Sequence, residues 1–183
     1  MLIYIHGFNS SSASGKARVL QAYMRERGMA DACLCPDLPD RPAAAIALLT
    51  DLIRQHPQAT LIGSSLGGFY ATWLSAQYGV KAVLINPAVH AHVLLAGQIG
   101  EQTNFSTGAV YQFTQQHIDE LAALDLPAVT QPENILLMVE TGDEVLDYRD
   151  AVAYYQHSRQ VVVAGGNHNF LSFPQHISTI IAF

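Results

Sequence analysis

The sequence is poor in charge: only 13% of its 183 residues are Asp, Glu, Lys or Arg, whereas 50% are hydrophobic. It contains no cluster of basic residues, and its formal net charge is −6 at pH 7. Such a composition is typical of a globular protein that buries a core. Because nucleic acids and anionic membranes do not attract an acidic protein, we expect neither as a partner. The length predicts a single domain, residues 1–183.

Segments for export and membrane insertion are also missing from the sequence. The chain starts with Met1 and the apolar run Leu2–Ile5. It has none of the three parts of a secretory signal peptide, which are a positively charged region, a long apolar stretch and a cleavage site. We therefore expect no signal peptide. No apolar run approaches the roughly 18 residues that a membrane helix needs. Both observations favour a cytoplasmic protein.

Cysteine is scarce, with only Cys33 and Cys35 in the chain. We expect both in a short strand, with their side chains on opposite faces of the sheet. This arrangement disfavours a disulfide between them or a shared metal ion. We therefore predict two buried free thiols.

Motifs for cofactors are absent as well. The sequence has no G-x-G-x-x-G fingerprint and no phosphate-binding loop, so we expect no cofactor. His90 and His92 are close in sequence, but a metal site needs three or more ligands. We therefore predict no metal site.

The sequence does contain a short apolar strand followed by Gly63-Ser64-Ser65-Leu66-Gly67. Glycine stands two residues before and two residues after Ser65, which is the G-x-S-x-G spacing of a nucleophile elbow. A serine that is lifted above a strand end on a tight turn leaves no room for side chains at these flanking positions. Ser65 is therefore the candidate nucleophile. A glycine-rich turn with an ordinary serine is the alternative, and only the surrounding elements argue against it.

Strands and helices alternate along most of the chain. We predict strands at Leu2–Ile5, Ala32–Cys35, Ala59–Ile62, Lys81–Ile85, Ile135–Val139 and Gln160–Val163. We predict helices at about Gly15–Gly28, Pro42–His56, Leu66–Tyr78, Tyr148–His157 and Phe173–Phe183. This alternation predicts an α/β fold with a mostly parallel sheet of about six strands and helices on both faces.

Residues 88–133 interrupt this alternation and show no clear strand. A structureless loop of this length is unusual in a compact domain, so we expect part of it to be helical, best at His117–Leu124. We interpret residues 88–133 as a lid or cap inserted after the fourth strand.

The candidate catalytic residues follow the ends of predicted strands, where functional groups collect in an open parallel sheet. Ser65, Asp143 and His168 occur in the order nucleophile, acid, histidine, which is that of the α/β-hydrolase fold. We predict that His168 takes the proton of Ser65 and that Asp143 orients the imidazole ring. Asp147 lies in the same loop and competes for the acid's role, but Asp143 is nearer to the strand end and is favoured.

Two backbone groups complete the predicted site. The loop after the first strand, His6-Gly7-Phe8, opens on the same edge of the sheet as Ser65. We predict that the backbone N–H groups of Phe8 and Leu66 form an oxyanion hole.

Five stretches of the sequence surround the candidate site residues: Tyr4-Ile5-His6-Gly7-Phe8-Asn9-Ser10-Ser11, Gly63 to Leu74, Asn86-Pro87-Ala88-Val89, Thr141 to Arg149 and Gly165-Gly166-Asn167-His168. Together they resemble the YqiA-type esterase family of small bacterial α/β-hydrolases. The resemblance implies a single-domain hydrolase that cleaves short-chain acyl esters, with acyl-CoA thioesters as a further substrate class. It places the family's serine, acid and histidine on Ser65, Asp143 and His168. The alternative is an interaction protein that keeps this fold and binds a partner through its lid.

Overall fold

Eight strands and seven α-helices make up the chain, which a computed structural model describes over residues 1–183. The strands are β1 (Leu2–Ile5), β2 (Cys33–Leu34), β3 (Thr60–Ser64), β4 (Ala82–Ile85), β5 (Gly100–Thr103), β6 (Val110–Phe113), β7 (Ile135–Glu140) and β8 (Arg159–Val163). The helices are α1 (Gly15–Glu26), α2 (Pro42–Gln55), α3 (Leu66–Tyr78), α4 (Ala91–Leu94), α5 (Gln115–Ala123), α6 (Tyr148–Tyr154) and α7 (Phe173–Ala182). None of these helices combines the length and the apolar character that crossing a membrane requires.

Six of the strands form one parallel sheet in the order β2-β1-β3-β4-β7-β8. Every residue of β1, β4 and β7 is buried. Continuous apolar strands of this kind are typical of a parallel sheet covered by helices on both faces. The predicted α/β fold with a parallel sheet is thus confirmed.

The two faces of the sheet pack against different helices. One core includes Tyr4, Ile62 and Val83 of the sheet together with side chains of α1 and α7. The other core includes Ile3 and Leu84 together with side chains of α2, α3, α5 and α6. Because side chains alternate between the faces of a strand, consecutive residues such as Ile3 and Tyr4 belong to opposite cores. The strand ends are thereby fixed between two packed layers, which positions the loops that follow them.

The segment between β4 and β7 contains α4, a two-stranded antiparallel hairpin of β5 and β6, and α5. Helix α5 occupies nearly the range predicted at His117–Leu124. The hairpin is not evident from the sequence, which suggested no clear strand here. Its strand Gly100–Thr103 is short and polar, so it lacks the apolar alternation that indicates a half-buried strand.

The prediction for the two cysteines was wrong. Cys33 lies in β2 and Cys35 directly follows it, and their Sγ atoms are only 4.0 Å apart. Side chains of residues two apart in a strand point to the same face, not to opposite faces. Both thiols are free, as predicted, but they are partly exposed rather than buried.

Candidate active site

The turn between β3 and α3 places Ser65 above the end of the sheet. Ser65 has φ 55° and ψ −120°, a strained conformation for a residue other than glycine. A side chain at Gly63 would overlap the carbonyl oxygen of Gly67, and a side chain at Gly67 would overlap that of Ile5. Only glycine fits at either position. The structure therefore has the tight turn that the G-x-S-x-G spacing indicates.

The side chains of Ser65, His168 and Asp143 form a continuous chain of hydrogen bonds. Nε2 of His168 lies 3.1 Å from Oγ of Ser65. Nδ1 of His168 lies 2.8 Å and 3.0 Å from the two carboxylate oxygens of Asp143. The structure thus brings together the three residues singled out in the sequence, in the geometry of a nucleophile, a base and an orienting acid.

Asp143 is held in its ionised form. Its side chain is only 1% exposed, and burial by itself would raise the pKa of this carboxyl. The hydrogen bonds from His168 and from the backbone N–H groups of Leu146 and Val145 outweigh burial and hold its pKa below the ordinary value. Asp143 is therefore a carboxylate at neutral pH and can stabilise a protonated His168.

Asp147 lies outside this chain of hydrogen bonds. Its carboxylate caps α6 by accepting from the backbone N–H of Arg149, and it forms an ion pair with the side chain of Arg149 at 2.6 Å. Both side chains are substantially exposed. The geometry thus favours Asp143 over Asp147 as the partner of His168.

The two backbone groups proposed for the oxyanion hole lie beside Ser65. Leu66 is the first residue of α3, so its N–H has no acceptor within the helix. The N–H of Phe8 makes no hydrogen bond to another backbone group. The preceding Gly7 packs closely on Ser65, since a Cβ atom there would lie 3.1 Å from Cβ of Ser65. Both N–H groups are thus free to bind a negatively charged oxygen near Oγ of Ser65.

A buried carboxylate, which the sequence analysis did not identify, holds the loop that carries His168. Glu140, the last residue of β7, is 1% exposed. It accepts hydrogen bonds from the backbone N–H groups of Asn167, Leu171 and Ser172 at 2.8 to 2.9 Å and from Oγ of Ser172 at 2.6 Å. Burial opposes ionisation, but these bonds outweigh it and lower the pKa of Glu140. A carboxylate at the end of an otherwise apolar strand is the signal that could have found it.

Asn86, which follows β4, connects the same loop to the sheet. Its Nδ2 donates to the carbonyl oxygens of Asn167 and His168 at 3.1 Å and 3.2 Å. Its Oδ1 accepts from the backbone N–H of Glu140 at 3.0 Å. Asn86 and Glu140 together therefore fix the backbone of the loop around His168.

Two cavities border the loop that carries Phe8. One has a volume of about 480 Å³, and its walls include Ser65, His168 and Lys16. The other has a volume of about 330 Å³, and its walls include Leu66 and Tyr70. Gly7, Phe8 and Ser10 line both cavities. A ligand bound at Ser65 therefore has space in two directions.

The hairpin of β5 and β6 is attached to this loop by hydrogen bonds. Oη of Tyr111 donates to Oδ1 of Asn9 at 2.6 Å, and the backbone N–H of Phe105 donates to the carbonyl oxygen of Asn9 at 2.8 Å. The ring of Phe113 packs edge-on against the ring of Phe8, with the centroids 5.3 Å apart. The inserted segment thus supports the loop on which one proposed oxyanion donor lies.

His6, in the same loop, has a structural role. It is buried, and its Nε2 accepts a hydrogen bond from the backbone N–H of Leu38 at 3.1 Å. Burial lowers the pKa of His6, although the carbonyl oxygen of Gly7 and the carboxylate of Asp37 favour its protonated form. His6 is thus occupied in joining the loop to residue 38 and does not reach Ser65 by any hydrogen bond.

Comparison with known proteins identifies the family. The family model of UPF0227, described as an uncharacterised protein family, matches residues 1–183. The chain belongs to the UPF0227 family. A UPF0227 protein of Pectobacterium atrosepticum is 24% identical over 190 residues, covering 100% of this chain and 98% of the relative. One of Vibrio vulnificus is 25% identical over 195 residues, again covering 100% and 98%. The predicted resemblance is confirmed, because the YqiA-type family is UPF0227.

Solved structures similar to this UPF0227 chain have the α/β-hydrolase fold. Mouse α/β hydrolase domain-containing protein 10 has a TM-score of 0.70 at 17% identity, covering 99% of this chain and 88% of the mouse chain. Est1E of Butyrivibrio proteoclasticus, solved with ferulic acid bound, has a TM-score of 0.70 at 14% identity, covering 100% and 86%. A structure from the study of the lipolytic enzymes LipS and LipT has a TM-score of 0.67 at 16% identity, covering 100% and 93%. The predicted α/β-hydrolase fold is thus confirmed.

No group of three or more His, Cys, Asp or Glu side chains in this UPF0227 chain is arranged to hold a metal ion. Nδ1 of His90 pairs with the carboxylate of Asp125 at 2.9 Å, and Nδ1 of His92 lies 3.9 Å from the same carboxylate. The two histidines of the His90-Ala91-His92 stretch therefore share one carboxylate, which joins α4 to the end of α5.

Proposed function

We propose that this chain is a serine esterase that cleaves short-chain acyl esters through an acyl-enzyme intermediate. The observation that carries the proposal is the hydrogen-bonded series Ser65, His168 and Asp143 on a strained turn at the carboxyl edge of the sheet. The α/β-hydrolase fold supports it by analogy, since related folds include Est1E and lipolytic enzymes.

The first half of the reaction acylates Ser65. Nε2 of His168 accepts the proton of the Ser65 hydroxyl as its oxygen attacks the ester carbonyl. The negative charge that forms on the carbonyl oxygen is stabilised by the N–H groups of Phe8 and Leu66, and the N-terminus of α3 favours that charge. Asp143 stabilises the imidazolium while it carries the proton.

Breakdown of the tetrahedral intermediate defines the two sides of the site. His168 donates its proton to the departing alcohol oxygen, so the leaving group must lie on the side of His168. That side is the cavity of about 480 Å³. The acyl group then extends toward Leu66 and the cavity of about 330 Å³. A water molecule activated by His168 hydrolyses the acyl-enzyme and frees Ser65.

Acyl-CoA thioesters are a second substrate class for the same site. A thiol is several pKa units more acidic than an alcohol, so it leaves with less help from a general acid. The attack by Ser65 and the stabilisation of the oxyanion are unchanged.

The proposal is tested by measuring hydrolysis of p-nitrophenyl esters of increasing acyl length, and of matched acyl thioesters, with wild type and Ser65→Ala. We expect wild type to cleave short acyl chains and the variant to lose several orders of magnitude in kcat. Ser64→Ala is the matched control, because this neighbouring serine has no hydrogen bond to His168. If wild type and Ser65→Ala are equally inert on every ester and thioester, the chain is not an esterase and binding of a partner becomes the leading hypothesis.

A further inference from the structure

Lys16 is the only Lys, Arg, Asp or Glu among the residues that line the Ser65 cavity. The rest of the wall is made of serines, glycines, aromatic rings and other uncharged side chains, apart from the imidazole of His168. The chain has only nine Lys and Arg residues in all. A single cationic group beside the proposed nucleophile is a feature that the esterase mechanism above does not use.

The ammonium group of Lys16 has unused hydrogen-bonding capacity. Nζ donates to the carbonyl oxygen of Asn169 at 3.0 Å, and it has no carboxylate within ion-pair distance. An ammonium group has three N–H donors. Burial lowers the pKa of Lys16 to about 8, although the more distant carboxylates of Asp143 and Glu140 favour its charged form. A cation is thus held partly away from water with no ion-pair partner in the protein.

The position of Lys16 indicates which part of a substrate meets it. His168 must protonate the leaving group, and Lys16 lines the same cavity as His168. The cavity on the acyl side is lined by the carboxylates of Asp37 and Asp40 and by no cation, so it would repel an anionic acyl chain. The walls of the two cavities therefore differ in charge: Lys16 is the one charged residue on the leaving-group side, although the carboxylates of Asp143 and Glu140 lie behind it, whereas two carboxylates line the acyl side.

We infer that Lys16 binds an acidic substituent, a carboxylate or a phosphate, on the alcohol or thiol part of the substrate. The inference rests on the proposed esterase function and specifies its substrate class: a neutral acyl group joined to an anionic leaving group. The contact is a charge-assisted hydrogen bond from Nζ in a partly desolvated cavity, which is the setting in which such bonds are strongest.

The test uses two pairs of butyrate esters and determines the specificity constant, kcat/KM, for each ester. One pair is 3-carboxyphenyl butyrate and its neutral methyl ester, and the other is 3-phosphonooxyphenyl butyrate and 3-methoxyphenyl butyrate. The variants are Lys16→Met, Lys16→Arg and, as a matched control, Lys81→Met. Lys81 precedes β4 at the opposite edge of the sheet and contacts Phe183. The ratio of the two kcat/KM values in a pair is compared between enzymes. Any difference in the intrinsic reactivity of the two phenyl esters is the same for every enzyme and therefore cancels.

We expect wild type to prefer the anionic member of a pair by on the order of ten-fold or more. Lys16→Met should abolish this preference while still hydrolysing the neutral ester, whereas Lys16→Arg and Lys81→Met should retain it. The pair with the larger preference identifies carboxylate or phosphate as the group recognised. As pH rises through about 8, Lys16 loses its proton and the preference of wild type should fall, while that of Lys16→Arg persists. This last comparison does not depend on the folding of Lys16→Met.

Equal specificity constants for charged and neutral esters in wild type, or an unchanged preference in Lys16→Met, would overturn the role of Lys16. Failure of wild type to hydrolyse even the neutral methyl ester would instead contradict the esterase function itself. The two failures are therefore distinguishable in one set of measurements.

Discussion

Both carboxylate oxygens of Asp143 lie within 3.0 Å of Nδ1 of His168, although 25 residues separate the two in sequence. The contact joins the loop after β7 to the loop after β8, which are neighbouring strands. It determines which ring nitrogen carries the proton in neutral His168, because a carboxylate accepts from Nδ1–H and leaves Nε2 as the acceptor that faces Ser65.

Replacement of Asp143 by Asn should therefore impair catalysis far more than binding. An amide can donate to Nδ1 and favour the wrong tautomer, so we expect kcat to fall by on the order of 10⁴-fold. Asp147→Asn is the matched control, since its exposed carboxylate pairs only with Arg149, and it should stay within about two-fold of wild type. Steady-state hydrolysis of p-nitrophenyl butyrate measures both. A large loss in Asp147→Asn with an active Asp143→Asn would show that the acid has been assigned wrongly.

Glu140 positions His168 without reaching the substrate, so its removal should lower kcat and leave KM nearly unchanged. In Glu140→Gln an N–H₂ group faces backbone donors of the loop, and the hydrogen bonds to a charged acceptor are lost. We expect kcat to fall by about ten-fold or more as His168 becomes less well aligned. Glu133→Gln, in the exposed turn that precedes the same strand, should have no effect. Equal kcat values for Glu140→Gln and wild type would exclude this role.

Acid should destabilise the fold through the same carboxylates. The pKa values of Glu140 and Asp143 are lowered in the folded chain, so their contribution to stability is present above the unfolded values, about 4.3 and 3.9, and is lost as pH falls through the folded values. The lowered pKa of the buried His6 should already reduce the free energy of unfolding, measured with urea, as pH falls below about 6.5, because the unfolded chain then binds more protons. The two carboxylates should add a further fall below about pH 4. In Glu140→Gln the acid-dependent loss should be smaller. An identical pH dependence in the variant would rule out Glu140 as a source of it.

The tight turn at Ser65 depends on glycine for space. A Cβ atom at Gly67 would overlap the carbonyl oxygen of Ile5. This oxygen belongs to the backbone of a buried strand, so moving it would distort the sheet. We expect Gly67→Ala to lower stability by several kcal/mol or to prevent folding. Gly97, in a surface turn with nothing within 4 Å of its Cβ position, provides the control, and Gly97→Ala should stay within about 0.5 kcal/mol of wild type. Thermal melting compares the two; similar melting temperatures would mean that the turn is not constrained as described.

Ser65, Asp143 and His168 could be singled out from the sequence because each follows an apolar strand whose position is clear. Residues that follow parallel strands meet at one edge of the sheet, so Ser65, Asp143 and His168 were expected together although the sequence contains no information on their distances. The tight turn at Ser65 could also be predicted, because the glycines two residues before and after it are required where no side chain fits.

Other features of the fold and the site could not be predicted from the sequence, for physical reasons. The hairpin is hard to find because β5 has no apolar side chain to alternate and β6 is only four residues long, although its Tyr111 and Phe113 do alternate with the exposed Val110 and Gln112. A carboxylate at the end of the apolar strand β7 marks Glu140 as unusual. The hydrogen bonds from Glu140 and Asn86 to the loop that carries His168 are tertiary contacts, however, and no local pattern predicts them. The shared face of Cys33 and Cys35, in contrast, follows from the sequence alone, because the two-residue period of a strand places residues two apart on one face.

The central claim, that Ser65 is the activated nucleophile, is tested most directly by labelling with a fluorophosphonate followed by peptide mass spectrometry. An activated serine attacks phosphorus and displaces fluoride, which leaves a stable phosphonyl adduct on its oxygen. We expect one adduct per chain, located on Ser65, with no labelling of Ser65→Ala and greatly slowed labelling of Asp143→Asn. An adduct on another residue, or ester hydrolysis by an enzyme that the probe leaves unlabelled, would contradict the account.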